Sequence, residues 1–287
     1  MILVDFNQVV ISNFMAQVGS HKTMPLDEGM LRHMILNTIR SFRQKFAGDY
    51  GELVICCDSR KYWRKEIFPY YKANRKKDRE ASGVDWQTMF NTLTLVREEL
   101  ANHFPYKTIM VDGAEADDII GTLIHERHDQ FEKILILSSD KDFMQLQIHN
   151  NVKQYSPVHK KFIRTADPKT FLKEHIIKGD RGDGIPNVMS NDSVFVSSGR
   201  QKPLRKNIME KILEANMETP QLSDLNENVI RNWQRNQKLV DLSYIPSEIK
   251  DQILEAYDQS QSNPRSGLLN YFVKHKLKNL TEHIGDF

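Results

Sequence analysis

Cysteine is nearly absent from this chain: two in 287 residues, Cys56 and Cys57, adjacent in "ELVICCD". Neighbours in one strand point to opposite faces, so no disulfide between them is expected, and a reducing, cytoplasmic setting fits. Long apolar runs are missing as well. None approaches the roughly 18 residues of a membrane span, and "MILVDFNQVV" has no basic start and meets an aspartate at position 5, unlike a signal peptide. An excess of one charge is missing too, because 40 Lys/Arg against 38 Asp/Glu leave only +2. There is no internal repeat and no low-complexity tract. The remaining class is a soluble globular protein of one large domain or two small ones.

What is present is unevenly placed. Residues 60–79, "RKYWRKEIFPYYKANRKKDR", interleave Lys and Arg with Tyr62, Trp63, Phe68, Tyr70 and Tyr71. Cations neutralise phosphates and aromatic faces stack on bases whatever their sequence, so the stretch suits single-stranded nucleic acid, although a solvated charged helix with one packed face would look similar. A second basic stretch is "GRQKPLRK" (199–206).

Apolar runs and helical stripes alternate along the first half. Strands are expected at "MILVDF", "ELVICCD", "YKTIMVD" and "KILILSS", and helices over 25–46, 85–104 and 115–128. This β-α-β-α order predicts an α/β fold with a mostly parallel central sheet and flanking helices. "NVKQYSP" and "KFIR" read as two edge strands. Beyond about residue 166 the texture is helical, which predicts a core over 1–166 and a helical region over 167–287. "RGD" at 181–183 and the "IHERH" pair His125 and His128 carry no expectation; the latter lacks the HExxH spacing.

The acids gather where strands end. Asp5 closes the first strand and Asp58 the second; Glu115, Asp117 and Asp118 open a helix; Asp140 and Asp142 follow "ILILSS"; Asp180 and Asp183 sit in "KGDRGDGIPN". Each alone could cap a helix or end a strand. Parallel strands deliver their C-termini to one edge, however, so the first seven converge there. Like charges raise one another's pKa, and divalent cations resolve that repulsion; all-oxygen ligation predicts Mg²⁺ or Mn²⁺ over zinc. Paired cations in carboxylates serve in-line displacement at phosphorus. Acids beside a cationic aromatic segment read as a nuclease. A haloacid-dehalogenase phosphatase is disfavoured, since Asn7 stands where its second aspartate would be.

The order "LVDF", "CCDSRKYWRKEIFPYYKANRKK", "EADD", "SSDKDFMQL" and "KGDRGDGIPN" resembles the 5′-nuclease (flap endonuclease) family, in the branch of the phage ribonucleases H. The resemblance spans nearly the whole chain. It implies a helical arch over two Mg²⁺ ions (Mn²⁺ substituting) and a C-terminal region that holds duplex. By that resemblance Asp5, Asp58, Asp117 and Asp140, with Glu115 beside them, hold the first ion, and Asp118, Asp142, Asp180 and Asp183 support the second. Lys72, Arg75 and Arg64 would grip the scissile phosphate and Tyr71 would stack on the terminal base. Arg60, Lys61, Lys76, Lys77 and Arg79 would add backbone contacts. The family's glycine-rich duplex-binding turn is replaced here by "NVMSNDSVFVSSGRQK", so duplex contacts are expected from Arg200, Lys202, Arg205 and Lys206, without a K⁺ site.

The expected activity is 5′→3′ removal of RNA primers and adjoining DNA during replication, with flap cleavage. The substrates implied are RNA–DNA hybrid, duplex and flap DNA, and the partners a single-strand-binding protein and a sliding clamp. A monomer is expected, in host cytoplasm if phage-encoded. The rival reading, a non-catalytic protein that holds branched DNA, leaves seven mutually repelling carboxylates without a purpose.

Overall fold

The computed structural model describes residues 1–18, 26–197, 199–215 and 225–287. Six strands form one sheet: β1 (Ile2–Asp5), β2 (Leu53–Cys56), β3 (Lys107–Ile109), β4 (Ile134–Leu137), β5 (Val152–Ser156) and β6 (Lys161–Ile163). Their order is β3-β2-β1-β4-β5-β6, parallel throughout except for the antiparallel β6. The predicted mostly parallel sheet is therefore present. One expectation is corrected: β5 lies inside the sheet between β4 and β6, and of these two strands β6 alone is at an edge. A run such as "VKQYS" does not say whether a neighbour will cover its second edge.

The helices bring the chain back over the sheet. They are α1 (Phe6–Val18), α2 (Glu28–Tyr50), α3 (Arg64–Ile67), α4 (Arg75–Ser82), α5 (Trp86–His103), α6 (Ala116–Arg127), α7 (Pro168–Lys178), α8 (Lys206–Glu214), α9 (Glu227–Val240), α10 (Ser247–Gln259), α11 (Leu268–Lys274) and the single turn α12 (Lys278–Thr281). α1 was not expected, although Phe6, Val9, Val10 and Phe14 are buried at helical spacing. The long α2 begins at the Asp27 cap, whose Oδ2 accepts from Met30 N at 2.8 Å; Pro25, expected in its first turn, lies outside the described residues.

Strand alternation sorts the core into two faces. Ile2, Val4, Leu53, Ile55, Leu135 and Leu137 pack with α1, α2 and α5. Leu3, Val54, Cys56, Ile134 and Ile136 pack with α6 and α10. Cys56 and Cys57 go to opposite faces, both free and buried, as the strand geometry requires.

The helical texture after residue 166 does not correspond to one separate core. Leu268, Tyr271, Phe272, Leu280 and Phe287 complete the first face, and Leu242, Ile245 and Ile253 complete the second. A third cluster belongs to α7, α8 and α9, with Ile176, Ile177, Ile212 and Trp233, and it takes in Phe68 and Tyr71 from the basic segment. That shared cluster seats the segment beside the sheet's C-terminal edge.

Candidate active site

Each parallel strand releases its chain at the same edge, and the acids follow immediately. Asp5 ends β1 and takes the Ser138 hydroxyl at 2.8 Å. Asp58, two residues past β2, is held by Asn7 Nδ2 at 2.8 Å and by the Ala116 amide at 2.7 Å. Glu115 precedes α6 and Asp117 lies in its first turn. Asp140 caps the 3-10 turn after β4, accepting from the Asp142 amide at 3.0 Å.

These carboxylates sense one another. Burial, then Asp58, pushes Asp5 up to about 7. Burial, then Asp140 and Asp5, raises Asp117 well above the usual carboxylate range. Burial raises Asp140 too, with Asp183 and Asp180 adding to it, while Asp142 is raised by burial and by Asp140. Such a bowl is stable with charge only if cations enter it.

One side chain supplies part of that charge. Lys72 Nζ pairs with Glu115 and lies 3.7 Å from Asp183 Oδ2. Burial would lower its pKa, but Asp183 and Glu115 outweigh burial and keep it an ammonium. Its backbone is left-handed at φ 56°, and its amide donates to the Asp183 carbonyl at 2.7 Å. A non-glycine residue held there marks a backbone fixed by its surroundings. Arg75 pairs with Asp183 from the next turn.

The glycines of "KGDRGDG" make this approach possible. Gly184 has φ 72°, and a Cβ on it would meet the Tyr70 carbonyl at 2.9 Å; one on Gly179 would meet the Ile185 carbonyl at 2.4 Å. Asp180 and Ile185 pair as an antiparallel bridge, closing the loop that presents Asp180 and Asp183.

Three roles implied by the resemblance are corrected. Arg64 is only 2% exposed: its Nε donates to the Leu239 carbonyl at 2.9 Å and its Nη1 contacts Glu115 at 3.0 Å and Asp118 at 2.8 Å. It has no open side to grip a phosphate. Asp118 is fully buried, taken up by Arg64, by Trp63 Nε1 at 3.1 Å and by the Glu115 amide at 2.9 Å, so it anchors the site and does not face an ion. Tyr71 is 2% exposed with its hydroxyl donating to Glu115 at 2.9 Å, so its ring cannot stack on a base. Sequence reads charge and aromaticity, and burial decides what they do.

The other contacts are on the surface. Arg60, Lys61, Lys76, Lys77, Arg200, Lys202, Arg205 and Lys206 are exposed, and Arg79 is half-buried. The replaced turn is braced by Asn187, whose Oδ1 accepts from Met189 N at 3.0 Å and whose Nδ2 donates to the Lys202 carbonyl at 2.9 Å.

His175 was missed. It is buried between Asp142 (Nδ1 to Oδ1, 3.4 Å) and Asp180 (Nε2 to Oδ2, 3.3 Å), and Lys141 reaches Asp180 at 2.9 Å. Burial would raise Asp180, but His175 and Lys141 hold it well below the usual range. A histidine five residues before an acidic loop was the available signal, and "KEHIIKGD" contains it.

The donor set fits a hard divalent cation. Asp142 Oδ1 is buried without a hydrogen-bond partner, and Asp5, Asp58, Asp117 and Asp140 offer further oxygens. Comparison with known proteins agrees in kind. Residues 1–176 match the family described as 5′-3′ exonuclease, N-terminal resolvase-like domain, and residues 167–287 match T4 RNase H, C terminal. The chain is 36% identical over 294 residues to a ribonuclease H of Enterobacteria phage T4, covering 99% of this chain and 95% of that one.

The chain belongs to the 5′-3′ exonuclease family.

Two further similarities are more distant. A 5′-3′ exonuclease of Buchnera aphidicola is 30% identical over 198 residues, 65% of each protein. Among solved structures, a bacteriophage T5 flap endonuclease in a complex with DNA and metal ions superposes with a TM-score of 0.64 at 19% identity, covering 90% of this chain and 99% of that one; it shares the fold. The expected fold and family are thus both found. Among the described residues no helix is long and apolar enough to cross a membrane.

Proposed function

We propose that this family member is a divalent-metal-dependent 5′→3′ nuclease that removes RNA and adjoining DNA from the 5′ ends of duplexes and cleaves flaps during replication. The observation that carries this is Lys72, fixed at a left-handed backbone position with its ammonium inside the carboxylate bowl. Mg²⁺, two ions, with Mn²⁺ able to substitute, would activate a water and take up charge on the leaving oxygen. Asp5, Asp58, Asp117 and Asp140 would hold the first ion, and Asp142, Asp180 and Asp183 the second. Lys72 and Arg75, freed from Glu115 and Asp183 as cations arrive, would bind the reacting phosphate and stabilise its charge.

The substrate strand would enter beneath the basic segment as a single strand while its duplex rests on α7–α9 and the exposed Arg200, Lys202, Arg205 and Lys206. A sliding clamp and a single-strand-binding protein are proposed partners of a monomer working in cytoplasm. The acids that do converge on the bowl, Asp5, Asp58, Asp117, Asp140 and Asp142, speak against a binding protein without catalysis. The test is an assay of end-labelled RNA–DNA hybrid, duplex DNA and flap, with and without Mg²⁺. Short products from a 5′ label and no cut in closed circular single strands are expected; progressive shortening from the 3′ end would overturn the reading.

A further inference from the structure

The acids assigned to the second ion enclose one nitrogen base. His175 lies in the last turn of α7 and is 5% exposed. Its ring packs on Phe171 one turn back, with 5.8 Å between centroids, and meets the 3-10 turn after β4. Among the described residues, Asp142, His175 and Asp180 are the only three histidine, cysteine or carboxylate side chains whose ligand atoms all lie within 4.8 Å of one another.

The two ring nitrogens have different surroundings. Nε2 stands 3.3 Å from Asp180 Oδ2, and an ionised carboxylate only accepts, so Nε2 carries a hydrogen. Asp180 has no oxygen left over. Its Oδ1 accepts from the Gly182 amide at 2.7 Å and the Asp183 amide at 3.2 Å, and its Oδ2 also takes Lys141 Nζ at 2.9 Å. Nδ1 faces Asp142 Oδ1 at 3.4 Å, and both atoms are buried without a hydrogen-bond partner. Two such acceptors aimed at one another call for a positive charge between them. A charge-assisted hydrogen bond would draw them to about 2.7–2.9 Å. Two ligands bonded to one ion at about 2.1 Å stand about 3.0–3.4 Å apart as their angle opens from a right angle towards the tetrahedral one. The observed gap matches the ion. A carboxylate that takes the hydrogen of the far nitrogen is also the usual device for aiming a histidine at a metal.

We propose that His175 Nδ1 is a ligand of the second ion, beside Asp142, and that Asp180 acts on that ion through the imidazole. The proposal rests on the metal-dependent nuclease reading and deepens it. The site at Asp5, Asp58, Asp117 and Asp140 is all oxygen, whereas the site at Asp142 carries a nitrogen donor. Imidazole suits transition ions better than Mg²⁺, which keeps to oxygen. The second site therefore discriminates between divalent ions more sharply than the first, and His175 sets that preference.

The experiment compares wild type with His175→Gln, whose amide retains a donor for Asp180 and places nothing at Nδ1; melting curves in EDTA check that both fold. With Mn²⁺ added and no substrate, pulsed electron paramagnetic resonance of wild type should show the nitrogen coupling of a directly bound imidazole, and the variant should lose it. Calorimetric titration should show two Mn²⁺ steps in wild type, one of them weakened at least about tenfold in the variant, while Mg²⁺ binding changes by less than about twofold. Two bound Mn²⁺ without nitrogen coupling, or coupling that survives in His175→Gln, overturns the ligand role and leaves His175 as a bridge between two carboxylates. If the variant does not fold, the wild-type spectrum decides by itself. Cleavage of end-labelled duplex is assayed separately. Wild type that shows the coupling and cuts nothing supports the ligand and overturns the nuclease reading; wild type that binds no Mn²⁺ overturns both.

Discussion

Arg64 Nη1 lies 2.8 Å from Asp118 Oδ1, and neither side chain is more than 3% exposed. The pair ties the start of the basic segment to the first turn of α6, which carries Asp117. Burial opposes the charge on both: Asp118 outweighs it for Arg64 and keeps the guanidinium charged, whereas for Asp118 burial outweighs Arg64 and the carboxyl's pKa is raised.

Arg64→Ala is therefore expected to lower stability by about 3–5 kcal/mol, because it leaves Asp118 buried and unpaired. Denaturant unfolding measures it. A variant as stable as wild type that had lost only phosphate binding would restore the grip role implied by the resemblance.

Asp117→Asn should abolish cleavage with duplex binding largely retained, since the residue faces the other acids and not the basic surface. Without metal it should melt at a higher temperature than wild type, because one repelling charge is gone. Activity within about tenfold of wild type would remove Asp117 from the proposed ion-binding set.

Lys72→Ala should lower the single-turnover rate more than it weakens binding. Lys76→Ala and Lys77→Ala, both exposed, should instead weaken binding evenly and reduce the salt slope by about one each. Equal behaviour of the three would leave Lys72 as an ordinary electrostatic contact.

Glu99 on α5 takes a two-pronged contact from Arg32 on α2, at 2.8 and 2.9 Å, and the Tyr271 hydroxyl of α11 at 2.7 Å. Burial would raise its pKa, but Arg32 and Tyr271 outweigh burial and lower it from the ordinary 4.5. A lowered carboxylate contributes stability that is present above its unfolded pKa and lost as pH falls through the folded one. Melting temperature should therefore drop below about pH 4.5, and Glu99→Gln should flatten that drop while costing about 3–5 kcal/mol near neutrality. Because Tyr271 lies beyond residue 166, loss of the C-terminal helices' protection in hydrogen exchange should accompany the substitution. Retained protection would mean that these helices hold to the core without the contact.

The sheet's strands and the acids at their ends were legible in sequence because both depend on local pattern. Apolar runs such as "ILIL" are strands wherever they are covered on both faces, and parallel connection sends every following acid to one edge. Tertiary structure alone decided which charges face that edge. Arg64 and Asp118 have the same types as Arg75 and Asp117, yet one pair is sealed under Leu239 and Trp63 while the other borders the bowl. Likewise Tyr71 turns inward and His175 slips between Asp142 and Asp180. The last helices return to fill the two faces of the sheet rather than form a core of their own. Burial is a property of what distant segments cover, and spacing along a chain does not carry it.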